Sequence, residues 1–309
     1  MKLMKNTKRC LVGVFVLSGM GFLIALIAFS SAQASESVSI KLKAQTGDTY
    51  KREYRLVSRT AQEQQGYAPR TAEQTVTIIV SSEVISVNRK GRIEIEQKLD
   101  RLKYEQFFPG RGRSIFDSAN PAHMEAARED PGLAFLLASL GSNWILVLEP
   151  NGEVWDEEFH IPGTGQDTST EFLTKNFLKQ FLNMAYLSFP SGPVRRGDNW
   201  ECGTIDLPTA GGRLIGAVQC ALEKIRKQGG KSTAVISVKR SVKLKPTAGN
   251  AVRSKLLKHE EGGSFTFLID RGEVGVIDLE GKSIIEADIR GNTLKRTTTN
   301  ELTVTEARR

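Results

Sequence analysis

The sequence predicts an α+β fold that is mainly antiparallel β, with long curved sheets in two related halves and two helical segments packed on them. Apolar and polar residues alternate as in strands along most of the chain. Helix signals occur in two stretches, 116–141 and 171–188, and they do not alternate with strands as in a parallel sheet. A one-residue phase slip between Leu99 and Leu102 indicates a β-bulge, which bends a long strand.

The first 34 residues are predicted to be a signal peptide. A basic start, Lys2 to Arg9, precedes an apolar run of 20 residues, and the small residues Ala32-Gln33-Ala34 follow. The run is longer than the ~7–15 residues usual in a signal peptide, so an uncleaved membrane anchor is the alternative. In both cases we expect the rest of the chain to be exported, to the periplasm or out of the cell.

The charge pattern does not favour a nucleic-acid partner. The formal net charge of +8 falls to +4 once the four basic residues of the signal are removed. The remaining Lys and Arg residues are interspersed with Asp and Glu, whereas nucleic-acid binders concentrate positive charge on one face.

The three histidines, His123, His160 and His259, share no metal-ligand spacing. No metal site and no cofactor is therefore predicted.

The two cysteines that follow the signal are predicted to form a disulfide. Cys202 and Cys220 flank the turn Ala210-Gly211-Gly212, and a hairpin centred on Gly211 places them opposite each other. Opposed residues of an antiparallel pair have Cβ atoms ~4.5–5.5 Å apart, which is close to disulfide geometry. An exported protein meets an oxidising compartment. Two buried free thiols are the alternative.

Residues 35–157 are predicted to form an N-terminal β-rich half. The polar residues 60–71 are expected to be an exposed loop. A helical insert, 116–141, begins with the cap and first-turn proline of Asn120-Pro121, and a second short helix completes it. The half closes with a hairpin whose turn is Pro150-Asn151-Gly152. Strands are expected around Val38, Tyr50, Val76, Ile93 and Trp144.

Residues 158–194 are predicted to form a connecting loop and an amphipathic helix. Thr168-Ser169-Thr170-Glu171 is a capping box, and apolar residues then recur on one face to about Ser188. Such a face lies on a sheet or covers an apolar cavity. The residues predicted to contact a ligand from this face are Phe177, Phe181 and Met184.

Residues 195–309 are predicted to form a C-terminal β-rich half. Within it, Arg240 falls on the same face of its strand as Ile236 and Val238. A charge on an apolar face has to be paired, to reach solvent at the margin of the sheet, or to line a wet cavity. Arg240 is therefore a fourth candidate ligand-binding residue, and a position at the sheet margin is the alternative.

Two short motifs suggest that the halves are related. Gly47-Asp48-x-Tyr50 matches Gly197-Asp198-x-Trp200, and the tripeptide Gly-Glu-Val begins at both Gly152 and Gly272. An internal duplication, with the helical insert present in the first half alone, is one interpretation. Chance recurrence of common turn pairs is the other.

The order of the motifs resembles an uncharacterised family of exported bacterial proteins, domain of unknown function 6263. The motifs are Gly47-Asp48-x-Tyr50, Phe116-Asp117-Ser118, Pro150-Asn151-Gly152, and Phe189-Pro190 leading through Pro193-Val194 into Gly197-Asp198-Asn199-Trp200. The resemblance implies export and no known activity. More loosely, the predicted fold is similar to the half-barrel carriers that move lipoproteins or lipids across the periplasm, which is an analogy of fold alone.

No catalytic motif is present, so we expect a non-enzymatic exported protein of the cell envelope that binds or carries an apolar ligand or lipid. A structural or protein-interaction component of the envelope, with another envelope protein as partner, is the alternative. A hydrolase without a recognisable motif is the third hypothesis. Contact with a membrane is predicted only through an uncleaved N-terminus.

Overall fold

The computed structural model describes residues 36–64, 66–110, 112–129, 137, 139–160, 187–209, 212–246, 252–289 and 292–307. The chain divides into two units, Met1–Ser37 and Val38–Arg309, and the fold below belongs to the second. The predicted signal peptide lies outside the described residues, as does most of the predicted amphipathic helix. No helix within the described ranges is long and apolar enough to cross a membrane.

Twelve strands of the described chain form one antiparallel sheet. They are β2 (Thr49–Gln64), β3 (Arg70–Val87), β4 (Ile93–Phe108), β5 (Gly112–Asp117), β6 (Asn143–Leu148), β7 (Val154–His160), β9 (Asn199–Thr209), β10 (Gly212–Gln228), β11 (Lys231–Pro246), β12 (Val252–Leu268), β13 (Glu273–Ile289) and β14 (Asn292–Glu306). Their order across the sheet is β7-β6-β4-β3-β2-β14-β13-β12-β11-β10-β9, and β5 pairs with the part of β4 that β6 does not reach. The two-residue strands β1 (Ser37–Val38) and β8 (Val194–Arg195) lie outside this sheet.

The predicted α+β class with two helical segments is wrong, whereas the mainly antiparallel β character is confirmed. The structure is nearly all antiparallel strand, and of the predicted helices its described residues show α1 (Pro121–Glu129). This helix begins as expected, because the Asn120 side chain accepts a hydrogen bond from the Ala122 amide at 3.0 Å. It has nine residues and buries only Ala127, so it adds little to a core that the sheet already supplies.

The exposed loop predicted over residues 60–71 is also mostly strand. β2 continues to Gln64 and β3 begins at Arg70, with Thr60 paired to Ala72. This end of the hairpin extends beyond the apolar core, so its polar side chains meet solvent while the backbone ladder continues. Polarity therefore marks the limit of the core and not the end of the strands.

One face of the sheet, which we call the inner face, carries the core. Alternate residues of neighbouring strands point to it, and the largest side chains that are fully buried there include Tyr54, Trp144, Phe265, Phe267 and Leu102. Two of its polar residues, Gln97 and Ser82, are hydrogen-bonded within the core. Gln97 accepts a hydrogen bond from Trp144 Nε1 at 2.7 Å and donates one to Ser82 Oγ at 2.9 Å.

The disulfide between Cys202 and Cys220 is confirmed, with a Cα–Cα distance of 5.8 Å. The expected register is not, because the two residues do not face each other directly. Gly203 faces Val218 and Glu201 faces Gln219, which leaves Cys202 as the extra residue of a β-bulge. The bulge displaces Cys202 along the strand and brings it within bonding distance of Cys220.

The two predicted Gly-Asp turns make the same contacts. In Gly47–Asp48 the glycine amide donates to the Val84 carbonyl at 2.8 Å, and the Val84 amide donates to the Asp48 carbonyl at 2.9 Å. In Gly197–Asp198 the same two bonds are made with Leu222, at 2.8 and 3.0 Å. A register shift follows both Val84 and Leu222. One local structure therefore starts the first long strand after each of these turns.

Candidate ligand-binding site

The sheet splits between two neighbouring strands. β11 and β12 are paired from Thr233 opposite Leu268 to Arg240 opposite Glu261, and their pairing ends there. Both strands continue: β11 remains paired with β10 as far as Pro246, and β12 remains paired with β13 from Val252. We call the gap between residues 241–246 of β11 and 252–260 of β12 the split. Interior strands normally pair along their whole length, so a gap between two of them is unusual.

Glycines bring the two strands into close contact just before they separate. Gly262 and Gly263 follow Glu261 in β12. A Cβ atom added at Gly262 would lie 2.9 Å from the Val238 carbonyl oxygen of β11, which is too close for any other residue. Beyond this point β12 carries a bulge between Leu256 and Lys258 on its β13 side, and bulges bend a strand. The pairing of β12 with β11 ends at Glu261, and the bulge bends β12 further along the split.

A part-buried ion pair lies at the closed end of the split. Arg240 Nη1 donates to Glu261 Oε1 at 2.5 Å, and the Arg240 side chain is only 7% exposed. His259 Nε2 lies 3.7 Å from the other carboxylate oxygen of Glu261. Burial lowers the pKa of His259 from 6.5, although the Glu261 carboxylate opposes the shift and Arg240 adds to it. At neutral pH the imidazole is therefore uncharged.

Gly281 makes room for the Glu261 side chain. It faces Glu261 across the β12–β13 pair, and a Cβ atom added there would lie 3.0 Å from Glu261 Cγ. The carboxylate therefore lies over a residue without a side chain, in reach of Arg240.

Two polar atoms of this cluster make no hydrogen bond to the described residues. They are Arg240 Nε and His259 Nε2, and both are buried. A buried donor or acceptor without a partner costs about 1–3 kcal/mol. An incoming hydrogen-bonding group would recover part of that cost, which is what a binding site offers its ligand.

The cluster opens into a cavity of about 210 Å³ on the inner face. Residues of seven strands line it, from β2 and β9 to β14, so the sheet curls around it. Eight of its sixteen lining residues have apolar side chains: Leu56, Ile205, Leu214, Val242, Leu256, Leu279, Ile285 and Leu302. An apolar concavity with a few convergent polar groups is the usual form of a small-molecule site.

A groove of about 780 Å³ lies beside the split on the other face of the sheet. Lys239, Ser241 and Leu257, whose side chains alternate with those of the inner face, line the groove. Cavity and groove share five lining residues, and all of them flank the split or its closed end: Arg240, Val242, Leu256, His259 and Glu261. Cavity and groove therefore approach each other at the split.

A second cavity, of about 340 Å³, is a weaker candidate. It lies under the segment around Leu42 and has cationic residues at its margin. These already have partners within the described chain: Lys43 donates to the Ile269 carbonyl, Arg52 to the Val274 carbonyl, and Arg271 is paired with Glu273. Its polar groups offer less to a ligand than those at the split.

Of the ligand-binding residues predicted from the sequence, the structure places Arg240 in the cavity, buried and paired. Phe177, Phe181 and Met184 lie outside the described residues. Sequence reasoning missed Glu261 and His259 as neighbours of Arg240. The sequence does contain a signal: Gly249 and Asn250 are residue types that favour turns, and a hairpin predicted to centre near them would bring positions 240 and 261 together. In the described parts of the chain, no group of three or more His, Cys, Asp or Glu residues could hold a metal ion.

No family model matches the chain and no curated protein does, so membership of domain of unknown function 6263 is not shown. Among solved structures, a lipovitellin described for its lipid–protein interactions is similar with a TM-score of 0.47 and 11% identity, over 86% of this chain and 26% of that one. The chain thus spans about a quarter of that protein.

Two further solved structures are similar at lower scores. DynF from the dynemicin biosynthesis pathway of Micromonospora chersina has a TM-score of 0.22 and 8% identity, over 90% of this chain and 88% of that one. An outer membrane channel from Pseudomonas putida F1 has a TM-score of 0.23 and 10% identity, over 85% of this chain and 97% of that one. Scores this low carry no argument about function, which rests on the site itself.

Proposed function

We propose that the protein is a non-enzymatic binding or carrier protein of the cell envelope, and that it holds an apolar ligand or lipid in the inner-face cavity. The observation that carries this proposal is the largely apolar cavity with a part-buried, incompletely hydrogen-bonded cluster of Arg240, Glu261 and His259. Export is part of the proposal. It is supported by the Cys202–Cys220 disulfide, since such bonds persist in oxidising compartments.

The dimensions of the site favour a chain-like ligand over a compact one. A volume of about 210 Å³ is below the ~300–1,000 Å³ usual for small-molecule sites. A flexible chain can fill such a cavity and extend through the split into the groove. Burying one methylene contributes about 0.8 kcal/mol, so about ten are needed to reach the ~8 kcal/mol of a micromolar complex before entropic costs. Cavity and split together suit an acyl chain of that length.

The predicted amphipathic helix belongs to the same proposal. If it forms over residues 171–188, the face with Phe177, Phe181 and Met184 would cover the open side of the cavity. Cavity walls and helix would then enclose the ligand.

Native purification followed by lipid mass spectrometry tests the proposed function. The protein is produced in its own host and purified without detergent. The purified protein is then extracted with organic solvent. We expect an acyl lipid in near-stoichiometric amount in the extract of the wild type. A variant whose cavity is filled by a larger side chain should contain no such lipid. Absence of any co-purifying lipid, together with no binding of the hydrocarbon fluorophore diphenylhexatriene, would contradict the proposal.

The split also favours a second candidate function, an interaction protein of the envelope. Residues 241–246 and 252–260 present backbone groups that pair with no strand across the split. Exposed strand edges can bind an extended segment of another protein by adding it to the sheet. Cross-linking in cells distinguishes the two functions, since a stable protein partner without a bound lipid would favour the second.

A further inference from the structure

We propose that the closed end of the split binds the polar end of the ligand, and that this end is the neutral carbonyl oxygen of an acyl ester. Arg240 is the residue that would donate to it. This inference rests on the proposed function and narrows the class of lipid.

Arg240 still has donors to offer. Its Nη1 atom is used by Glu261, whereas Nε is buried and makes no hydrogen bond to the described residues. The guanidinium presents its donors in a fixed planar fork, so an acceptor at Nε would lie beside the carboxylate and not in its place. The apolar lining then begins next to it, at Val242 and Leu256. A carbonyl group at the end of an acyl chain meets both requirements.

The charges around the site exclude an anionic end group. Arg240 and Glu261 neutralise each other, and the lowered pKa of His259 leaves no second cation at neutral pH. The remaining charged residue in the described lining is Asp206, which is paired with Arg213 at 2.5 Å. A carboxylate or phosphate would therefore enter a partly buried site close to Glu261 without a cation left to compensate it.

Groups on the groove side do not change this balance. Lys258 is paired with Glu260 at 2.9 Å, and Lys239 belongs to the outward-facing residues of β11. What the site offers is thus a hydrogen-bond donor without a surplus of positive charge. A neutral oxygen acceptor suits it better than an anion.

A double variant tests the inference. Arg240→Met alone would leave Glu261 as a part-buried carboxylate without its partner, which is destabilising. Arg240→Met/Glu261→Met removes both charges and keeps similar volume. The matched control is Arg92→Met/Glu149→Met, because this pair is equally short at 2.5 Å and lines none of the cavities described above. Two fluorescent probes are titrated into each protein, the methyl ester of cis-parinaric acid and the hydrocarbon diphenylhexatriene.

We expect the double variant to bind the methyl ester about tenfold more weakly than the wild type, as for the loss of one hydrogen bond to a charged donor. The ratio of its affinity for the ester to its affinity for diphenylhexatriene should fall by at least the same factor, and the control variant should bind both probes like the wild type. If the double variant binds the ester as tightly as the wild type or more tightly, the carbonyl site is wrong and the carrier function stands. If the wild type binds neither probe, the carrier function itself is wrong.

Discussion

Arg240 donates a hydrogen bond to Glu261 at 2.5 Å across the last residue pair that β11 and β12 share. On one side of this pair the sheet is continuous, and on the other it opens. The ion pair therefore joins the two strands at the point where the backbone ladder ends. It also supplies the polar end of an otherwise apolar cavity.

The first prediction concerns the stability of this pair. Arg240→Met should lower the free energy of unfolding by about 2–3 kcal/mol, since Glu261 then loses its partner in a site where it is only 21% exposed. Arg240→Met/Glu261→Met should recover most of that loss. Urea unfolding measures both. Equal losses in the single and double variants would show that the packing of Arg240, and not its charge, stabilises the fold.

The second prediction concerns pH. Burial lowers the pKa of His259 in the folded protein below 6.5, so the unfolded chain binds the proton more readily. The free energy of unfolding should therefore fall as the pH drops from about 7 towards 5. In His259→Gln the free energy of unfolding should not show this fall between about pH 7 and 5. The loss of stability at lower pH should remain, because carboxylates such as Asp117 titrate there. If the free energy of unfolding falls equally in both proteins between about pH 7 and 5, the assignment to His259 is wrong.

The third prediction concerns the disulfide. Cys202 and Cys220 are separated by 18 residues, and closing a loop of this length stabilises by about 3 kcal/mol. Cys202→Ala/Cys220→Ala should lose about that much in urea unfolding. Thiol labelling of the protein without residues 1–34, unfolded but not reduced, should find no reactive thiol. Two labelled cysteines would show that the bond does not form.

The fourth prediction compares two glycines of similar backbone conformation. Gly152 has a φ of +81°, and a Cβ atom added there would lie 2.6 Å from the Leu187 carbonyl oxygen. Gly47 has a φ of +90° but nothing within 4 Å of such an atom. Gly47→Ala should cost about 1 kcal/mol for the left-handed backbone. Gly152→Ala should cost about 1–3 kcal/mol more, because the backbone of Leu187 has to move. Equal losses in thermal unfolding would contradict the close contact.

Much of the sheet follows from local sequence patterns. Alternation predicts the strands around Tyr54 and Ile78, because residues two apart share a face of the sheet. The start of α1 follows from Asn120, since capping depends on neighbouring residues only. The disulfide pairing also follows from a short hairpin, although the bulge at Cys202 shifts its register. The residues that determine each of these features lie within about twenty positions of one another in the sequence.

Other features depend on contacts that local patterns do not contain. Thr60 and Ala72 remain in strands because the neighbouring strands pair with them, although their sequence is typical of a loop. The split depends on which residues of β11 and β12 cease to pair, and a polar residue such as Glu261 gives no sign of that by itself. Arg240 could be singled out as unusual from its apolar neighbours, but its partner could not.

The most direct test of the account is to fill the cavity and measure the binding of an apolar ligand. Ser283 lines the cavity, whereas Ser264 on the opposite face of the sheet does not, and both are partly buried. Diphenylhexatriene is titrated into the wild type, Ser283→Phe and Ser264→Phe, with circular dichroism to confirm that each variant is folded. We predict micromolar binding to the wild type and Ser264→Phe, and at least about tenfold weaker binding to Ser283→Phe. Equal affinity in all three proteins, or no binding to the wild type, would contradict a ligand in this cavity.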